Sequence, residues 1–510
     1  MEFHSRHFVS FVKFCISAAV LFCIWSVHCL SVPPEWAGRG FASLELQDLF
    51  QQESKGIPYT LDLPLDHFNS SFGETIQIRY WIDMKHFSKG GPVLFSLGGE
   101  GPASGVAAGW VKKLAVAFGA AQVAIEHRFY GESLPSACGQ DPACSFSDAY
   151  LPYLTVAQAL EDAAAVARQA ELTLRSLSSA SASEKRLPWI AVGGSYSGAL
   201  SAWFRQTHPD LVVGAISSSG VVNALLDFPQ FDSAVSAAVG ARCGSVLRRL
   251  VAFADELLLG SAEAAAFARD AMNAPRGLSD DDYRYMMADS FSMAVQYGHK
   301  TAMCDRMMVL EDSTGEDLLR GFSNFTAWLW GEGYAAGCFY DTECLRGEPS
   351  RWGENGRAWR WQKCSQVAYL QRAPAGDAAA PPLRSPHLTL RSLERQCDRI
   401  FGAGTAARLP AANAELQRRH GGARPNGTDS IFFTNFADDP WQEAGVRPLS
   451  SRDAGLPRCY VRCDDCGHCM DLHEPRSSDP KPLSACRHKA AAAVATWLAD
   501  FRSGGGVASQ

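Results

Sequence analysis

Short apolar runs alternate with longer stretches of helical periodicity between residues 91 and 220. Apolar runs bounded by Gly, Pro or Ser predict buried strands, and helical stretches between them predict crossover connections. We predict strands at 92–97, 122–125, 188–192 and 211–216, with helices at 155–177 and 198–206. Strands joined by helical crossovers are typical of a doubly wound, mostly parallel α/β sheet.

The pattern changes after residue 224. Helical periodicity, clearest at 245–259 and 261–272, predicts a helical cap inserted into the α/β domain over residues 225–360. Late strands at 431–434 and 458–461 and a terminal helix at 484–501 predict that the sheet resumes, with the Ala/Pro tract 373–386 as a loop. We predict that the α/β domain comprises residues 31–224 and 361–502 and that residues 503–510 form a disordered tail.

Residues 1–30 have the pattern of a secretory signal peptide. Arg6 and Lys13 precede an apolar stretch at 14–25, which is short for a membrane span. An uncleaved anchor is the alternative, and polar Ser17 and Ser26 make it less favoured. No later segment combines the length and apolarity of a transmembrane helix, so we expect no stable membrane insertion after cleavage.

The cysteines and glycosylation sequons agree with the secretory route. Three of the 16 cysteines lie within residues 1–30, so 13 remain, and an odd number leaves at least one thiol free or intermolecular. Asn-X-Ser/Thr sequons occur at Asn69, Asn324 and Asn426. Together these features predict a disulfide-bonded glycoprotein that is secreted or lysosomal.

Charge and composition narrow the class of partner. The chain has 47 Lys plus Arg and 54 Asp plus Glu, a net charge of −7, and 47% hydrophobic residues. The hydrophobic content excludes a disordered chain, and the charge provides no basic footprint for nucleic acid. A small molecule or a peptide is therefore the expected partner, and a homodimer stays open.

A candidate nucleophile lies where a predicted strand turns into a helix. The segment 192–199 reads Val-Gly-Gly-Ser-Tyr-Ser-Gly-Ala, with small residues two positions before and after Ser195. Small residues allow the strained turn of a nucleophile elbow, which exposes the serine hydroxyl at the carboxyl edge of the sheet. The second small residue is Ser197 rather than the usual Gly, and a Gly/Ser-rich turn without chemistry is the alternative.

A base and an acid follow in the order expected for this fold, serine, acid, histidine. Asp439 and its rival Asp438 come after the strand at 431–434, and His468 comes after the strand at 458–461. Taken alone, Asp-Asp-Pro is a common turn sequence and a loop histidine is more often a surface group. Asp471 is expected to cap the following helix or to brace the loop.

Gly98, Gly99 and Glu100 follow the first predicted strand, where such hydrolases place an oxyanion loop. The N–H of Tyr196 would be the second donor, and a purely structural turn is the alternative. The polar segment 126–133 either braces the site through ion pairs or closes a loop.

A zinc half-site is an alternative reading of the last loop. It would use His468 and nearby cysteines, and His468 could then not act as a base. Because a secreted chain favours disulfides, we expect neither metal nor cofactor. The cysteines concerned are Cys459, Cys463, Cys466 and Cys469.

Several motifs in one order resemble the prolyl-carboxypeptidase-like serine peptidases. They are Leu-Gly-Gly-Glu-Gly-Pro at 97–102, Glu-His-Arg-Phe-Tyr-Gly-Glu-Ser-Leu-Pro at 126–135, Gly-Gly-Ser-Tyr-Ser-Gly at 193–198, Ala-Trp-Phe-Arg at 202–205, Asp-Pro-Trp at 439–441 and Gly-His-Cys-Met-Asp at 467–471, with Asp-His-Phe-Asn at 66–69 and Trp-Gln-Lys-Cys at 361–364. The resemblance implies an α/β-hydrolase fold with a helical cap. It also implies the triad Ser195, Asp439 and His468, and so favours Asp439 over Asp438.

The resemblance further implies a serine exopeptidase, of carboxypeptidase or dipeptidyl-peptidase type, that cleaves short peptides after proline through an acyl-enzyme. One departure bears on specificity: residues 468–473 read His-Cys-Met-Asp-Leu-His, whereas those members commonly read His-His-Leu-Asp-Leu-Arg. The chain is closer here to the thymus-specific branch, and it lacks cationic contacts for a substrate carboxylate. An esterase and a catalytically silent binding protein are the alternatives.

Overall fold

A central sheet of eight strands organises the protein. The structure is a computed structural model that describes residues 55–178, 186–353, 355–375, 381–425, 430–446 and 458–504. The strands are β1 (Ile57–Pro64), β2 (Thr75–Asp83), β3 (Val93–Ser96), β4 (Ala121–Ile125), β5 (Trp189–Gly194), β6 (Gly214–Ser218), β7 (Ile431–Phe436) and β8 (Arg458–Val461). Their order in the sheet is β1-β2-β4-β3-β5-β6-β7-β8.

Strand direction divides the sheet into two parts. β1 pairs antiparallel with β2, and β2 pairs antiparallel with β4. All pairs from β4 through β8 are parallel, which confirms the predicted mostly parallel α/β-hydrolase sheet. β6 begins later than predicted because Leu211 and Val212 belong to the turn that follows the preceding helix. Their N–H groups donate to the carbonyl of His208 instead of to a neighbouring strand.

Fourteen α-helices occur in the described ranges. They are α1 (Gly109–Phe118), α2 (Pro142–Ser145), α3 (Val156–Leu177), α4 (Ser195–Thr207), α5 (Gln230–Leu259), α6 (Ala262–Ala271), α7 (Asp280–Gln296), α8 (Lys300–Met308), α9 (Gly315–Trp330), α10 (Thr342–Gly347), α11 (Gly356–Gln362), α12 (Leu390–Phe401), α13 (Thr405–His420) and α14 (Lys481–Arg502). Nine of them, α5 to α13, lie between β6 and β7. Helices continue on both sides of residue 360, so the predicted end of the cap there stays a prediction.

Helices cover both faces of the sheet, which explains why strands β3 to β7 are buried along their whole length. Along β5, Trp189 and Ala191 join one buried cluster, whereas Ile190 and Val192 join the other. A Cβ on Gly214 would lie 2.2 Å from the Trp497 ring, so this glycine allows α14 to pack directly on the sheet. The core therefore holds the carboxyl ends of β3, β5, β7 and β8 at one edge.

Most of the described cysteines are paired in disulfides. Six disulfides link all described cysteines except Cys469, which is free and buried, so the predicted unpaired thiol is confirmed. The pairs are Cys138–Cys144, Cys243–Cys304, Cys338–Cys344, Cys364–Cys397, Cys459–Cys486 and Cys463–Cys466.

Some predictions fall outside the described ranges. These are the signal peptide at 1–30, the sequon at Asn426 and residues 505–510 of the predicted tail. Asn69 and Asn324 are described, and both are exposed, as glycosylation requires. Across the residues that the structure describes, no helix has the length and apolarity to cross a bilayer.

Candidate active site

Ser195 lies on a strained turn between β5 and α4. Its φ of 59° is left-handed, which is rare for a residue with a side chain. A Cβ on Gly193 would lie 2.1 Å from the carbonyl oxygen of Ser197, so the turn requires glycine there. The Ser197 hydroxyl accepts a hydrogen bond from the Gly194 N–H at 3.1 Å. Ser197 thus closes the elbow with a bond that glycine cannot make.

His468 and Asp439 form a buried pair at the same edge of the sheet. His468 Nδ1 lies 2.7 Å from Asp439 Oδ2, and both side chains are almost fully buried. The other ring nitrogen, Nε2, has no hydrogen-bond partner among the described residues. An oriented imidazole with one free nitrogen is the arrangement that a general base needs.

The loops that carry Ser195 and His468 touch each other. A Cβ on Gly194 would lie 2.8 Å from Cys469 Sγ, so the residue before the serine packs on the residue after the histidine. The Cys469 N–H also donates to the Ser219 hydroxyl at 3.0 Å, which ties the histidine loop to the end of β6. The structure therefore brings the three predicted catalytic residues to one edge, from elements far apart in sequence.

The rival acid, Asp438, is engaged elsewhere. Its Oδ2 accepts hydrogen bonds from Lys300 Nζ at 2.8 Å and from the Asp465 N–H at 2.9 Å. Asp439 instead bonds His468 through Oδ2 and accepts from the Trp441 N–H through Oδ1 at 2.9 Å. The geometry thus matches the choice of Asp439 that the family resemblance implied.

Asp471 and the nearby cysteines have structural roles. The Asp471 carboxylate accepts a hydrogen bond from the Ser218 hydroxyl, so it braces the loop against β6 as predicted. Cys463 and Cys466 are bonded to each other, and Cys459 is bonded to Cys486. Sulfurs in disulfides are not thiolate ligands, so three of the four cysteines of the zinc alternative are not available as donors, and Cys469 is the remaining thiol.

The predicted oxyanion loop lies beside the elbow. A Cβ on Gly99 would lie 3.4 Å from Ser197 Cβ, and a Cβ on Gly98 would lie 2.6 Å from the backbone nitrogen of His127. Tyr196 is the second residue of α4, and the first N–H groups of a helix have no partner within it. The Gly98–Glu100 loop thus packs on the first turn of α4, which also carries the Tyr196 amide.

The segment 126–133 braces this loop, which settles the question that its sequence left open. The fully buried Glu126 carboxylate accepts hydrogen bonds from Arg79 and from the Ala103 N–H. Arg128 pairs with Asp162 at 2.6 Å with both side chains buried.

A chain of hydrogen bonds fixes the Tyr196 side chain. His127 Nδ1–H donates to the Arg128 carbonyl at 2.7 Å, which leaves Nε2 to accept from the Tyr196 hydroxyl at 3.1 Å. Burial lowers the pKa of His127 to about 4, so this imidazole is neutral. Gln362 Nε2 donates to the Tyr196 oxygen at 2.7 Å, and the Tyr130 hydroxyl donates to Gln362 Oε1.

The end of α7 holds the catalytic loops from the helical side. The Gln296 carbonyl accepts the His468 N–H at 2.7 Å, and its Oε1 accepts the Trp441 indole N–H at 2.8 Å. Sequence reasoning missed Gln296 and Lys300, because neither lies in a motif. Only the folded contacts identify them.

The pKa values of His468 and Glu100 are shifted as well. Burial alone would lower the pKa of His468, but the Asp439 carboxylate and the neighbouring Cys469 outweigh it and raise the pKa well above its ordinary value. Burial raises the pKa of Glu100 to about 7. Perturbed groups beside a candidate nucleophile are typical of catalytic sites.

Comparisons with known proteins agree with this geometry. The sequence model of the family described as serine carboxypeptidase S28 matches residues 63–490. The human thymus-specific serine protease is 30% identical over 470 residues, covering 86% of each chain. The probable serine protease EDA2 of Arabidopsis thaliana is 30% identical over 456 residues, covering 86% of this chain and 88% of that one. The mouse lysosomal Pro-X carboxypeptidase is 26% identical over 461 residues, covering 86% of this chain and 88% of that one.

The family match spans almost all of the described chain and includes the elbow, both catalytic loops and the helices between β6 and β7. It agrees with the α/β-hydrolase topology of the sheet. The chain therefore belongs to the serine carboxypeptidase S28 family, and it is a serine-type peptidase.

Proposed function

We propose that the protein is an exopeptidase that hydrolyses short peptides on the carboxyl side of proline, with Ser195 as nucleophile, His468 as base and Asp439 as the residue that orients the base. The observation that carries this proposal is the His468–Asp439 hydrogen bond of 2.7 Å together with the unpartnered His468 Nε2. Family membership favours a peptidase over the two alternatives, an esterase and a silent binding protein.

The proposed reaction has two halves. His468 Nε2 takes the proton of Ser195 while Oγ attacks the scissile carbonyl, and the Tyr196 and Gly98–Glu100 amides stabilise the oxyanion. His468 then protonates the leaving amine, and water hydrolyses the acyl-enzyme by the same steps in reverse. Asp439 holds the tautomer that leaves Nε2 free.

The preference for proline is supported by an aromatic wall beside His468. The ring centroid of Trp441 lies 6.4 Å from that of His468, and the rings of Tyr369, Phe228 and Phe231 lie 5.4, 5.9 and 5.1 Å from Trp441. An apolar ring such as that of proline packs well on aromatic faces. Trp441 is the partly exposed member of this aromatic cluster, so it is the ring that a proline side chain would meet.

We further propose that the protein enters the secretory pathway by cleavage of residues 1–30, is glycosylated at Asn69, Asn324 and Asn426, and acts in a lysosome or outside the cell. The exposure of Asn69 and Asn324 and the six disulfides support this setting. The division into 31–224, 225–360 and 361–502 is proposed with it.

Mass spectrometry of peptide products tests the function. A mixed set of proline-containing peptides is incubated at pH 5 and pH 7.5 with the secreted protein and with Ser195→Ala. We expect cleavage after proline at a terminus by the native protein alone. Cleavage that survives in Ser195→Ala, or ester hydrolysis without peptide hydrolysis, would count against the proposal.

A further inference from the structure

Strand β6 ends in a run of buried serines that the proposed reaction does not use. Ser217, Ser218 and Ser219 are each at most 1% exposed. A buried hydroxyl needs a hydrogen-bond partner, and the partners of this run lie on the catalytic elements. Ser217 donates to the Gly198 carbonyl in the first turn of α4 at 2.7 Å, and Ser218 donates to the Asp471 carboxylate in the loop of the proposed base. The run therefore lies between the nucleophile elbow and that loop.

Ser219 is the member of the run that contacts the segments of both the base and the acid. Its hydroxyl accepts the N–H of Cys469, the residue after His468, at 3.0 Å. Its own N–H donates to the carbonyl of Thr434 at 2.7 Å, and Thr434 lies on β7, the strand that leads to Asp439. This single residue therefore ties the loop of the base and the strand of the acid to the end of β6.

The backbone of Ser219 indicates why a side chain is present there. Its φ of 43° is left-handed, which strains a residue that has a Cβ. Glycine adopts this conformation at no steric cost, so the hydroxyl is the feature that glycine would lack. Ser195 and Cys469, on the two catalytic loops, are also left-handed, each with a φ of 59°. Strained residues that their surroundings hold in place are typical of active sites.

Loss of this hydroxyl would release the loop at the residue next to the base. Cys469 is only 1% exposed, so its N–H would be buried without an acceptor unless the loop moved to reach one. His468 precedes it directly and lies 2.7 Å from Asp439. A displacement of a catalytic group by about 1 Å can lower the rate by about 100-fold.

We propose that Ser219 is a positioning residue for the base, and that its hydroxyl holds the His468 loop where the imidazole can take the proton of Ser195. Ser219 acts through His468 and is not itself a catalytic residue. This inference rests on the proposed function, because it assigns one more residue to the same reaction. Its hydroxyl then contributes to the chemical step and not to the binding of the peptide.

The test measures steady-state kinetics on a proline-containing peptide that the native enzyme cleaves. Ser219→Gly removes the hydroxyl together with the backbone strain, whereas Ser219→Ala removes the hydroxyl and keeps the strain. We expect kcat to fall by about 10- to 100-fold in both variants, with KM close to the native value. The rate at which a fluorophosphonate labels Ser195 should fall by the same factor, because that reaction needs no bound peptide.

Ser217→Ala is the matched control. It removes an equally buried hydroxyl two residues earlier and leaves the bond to Cys469 in place. The Gly198 carbonyl, which loses the Ser217 hydroxyl, keeps the hydrogen bond from the Ser201 hydroxyl at 2.8 Å. We expect this variant to keep kcat close to the native value.

A double variant shows whether Ser219 acts through the base. When His468 is already replaced by glutamine, Ser219→Gly should slow the labelling of Ser195 no further. A native kcat in both Ser219 variants, a rise in KM in place of a fall in kcat, or an equal further loss in the His468→Gln background would overturn the inference and leave the peptidase intact. Absence of any Ser195-dependent hydrolysis would overturn both.

Discussion

The two adjacent aspartates, Asp438 and Asp439, differ in the side chain that each one bonds, and this difference determines which of them orients the histidine. Sequence places Asp438 and Asp439 equally well after β7, and only the family resemblance favoured Asp439. The structure gives the physical reason, since Lys300 holds Asp438 while Asp439 bonds His468. That distinction was not predictable from local sequence because Lys300 lies on α8, far away in the chain.

The two aspartates form a matched pair of variants. We expect Asp439→Asn to lower kcat by roughly 10⁴-fold, because an amide favours the wrong histidine tautomer. Asp438→Asn removes the same charge one residue away and should lower kcat by less than about tenfold, since it weakens the bonds to Lys300 and to the Asp465 N–H but leaves the His468–Asp439 bond in place. Steady-state kinetics on both variants check this, and equal losses would contradict the assignment.

The pH dependence follows from the raised pKa of His468. The base must be neutral to accept the serine proton, so kcat/KM falls as the pH drops through that pKa. Because Asp439 raises the pKa above 6.5, the acid limb should lie above pH 6.5. A pH–rate profile from pH 4.5 to 9 measures it. Full activity at pH 5 would contradict this direction, whereas an acid limb above pH 6.5 favours the extracellular of the two proposed settings.

At the scale of secondary-structure elements, the sequence predicts local features such as turns and strands but not the contacts between distant segments. The nucleophile elbow was predictable because small residues around Ser195 are a local signal, as were the apolar strands β3, β4, β5 and β7. We made no prediction for β1 and β2, although β2 alternates buried Ile76 and Ile78 with exposed positions. Contacts between the helices and the site, such as those of Gln296 and Gln362, join distant segments. Gln296 lies in no motif, and the motif at 361–364 includes Gln362 but does not indicate which residues it contacts.

A substitution of Gln362, at the end of α11, tests one of these contacts. Gln362→Leu keeps the volume but leaves the buried Tyr130 hydroxyl without its acceptor and removes one of the two hydrogen bonds of the Tyr196 hydroxyl, which keeps only His127. We expect a loss of about 1 to 3 kcal/mol in the free energy of unfolding and a fall in kcat, because Tyr196 carries an oxyanion amide. Urea denaturation and kinetics measure the two effects. An unchanged stability would contradict the hydrogen-bond chain.

At the scale of the whole molecule, the central sheet and the disulfides together hold the loops of the active site in position. The composition and the signal sequence predicted a protein with disulfide bonds, and the odd number of cysteines predicted at least one unpaired cysteine. The pairing itself was not predictable from sequence, because it depends on which loops meet in the fold. Two disulfides, Cys459–Cys486 and Cys463–Cys466, lie in the segment that carries His468, so the catalytic loop is held covalently.

A thiol titration checks this arrangement. The native protein, with residues 1–30 removed, should show no reactive thiol, because Cys469 is buried. Unfolding in guanidinium without reductant should expose one thiol per chain, and Cys469→Ser should abolish it. Two or more thiols in the unfolded native chain would contradict the six disulfides.

Covalent labelling with a fluorophosphonate tests the central claim, that His468 and Asp439 activate Ser195, most directly. The reagent reacts with an activated serine, and peptide mapping shows which residue carries the adduct. We predict one adduct per chain, on Ser195, that is absent in Ser195→Ala and at least 100-fold slower in His468→Gln. An adduct at another residue, or equal labelling in His468→Gln, would contradict the claim.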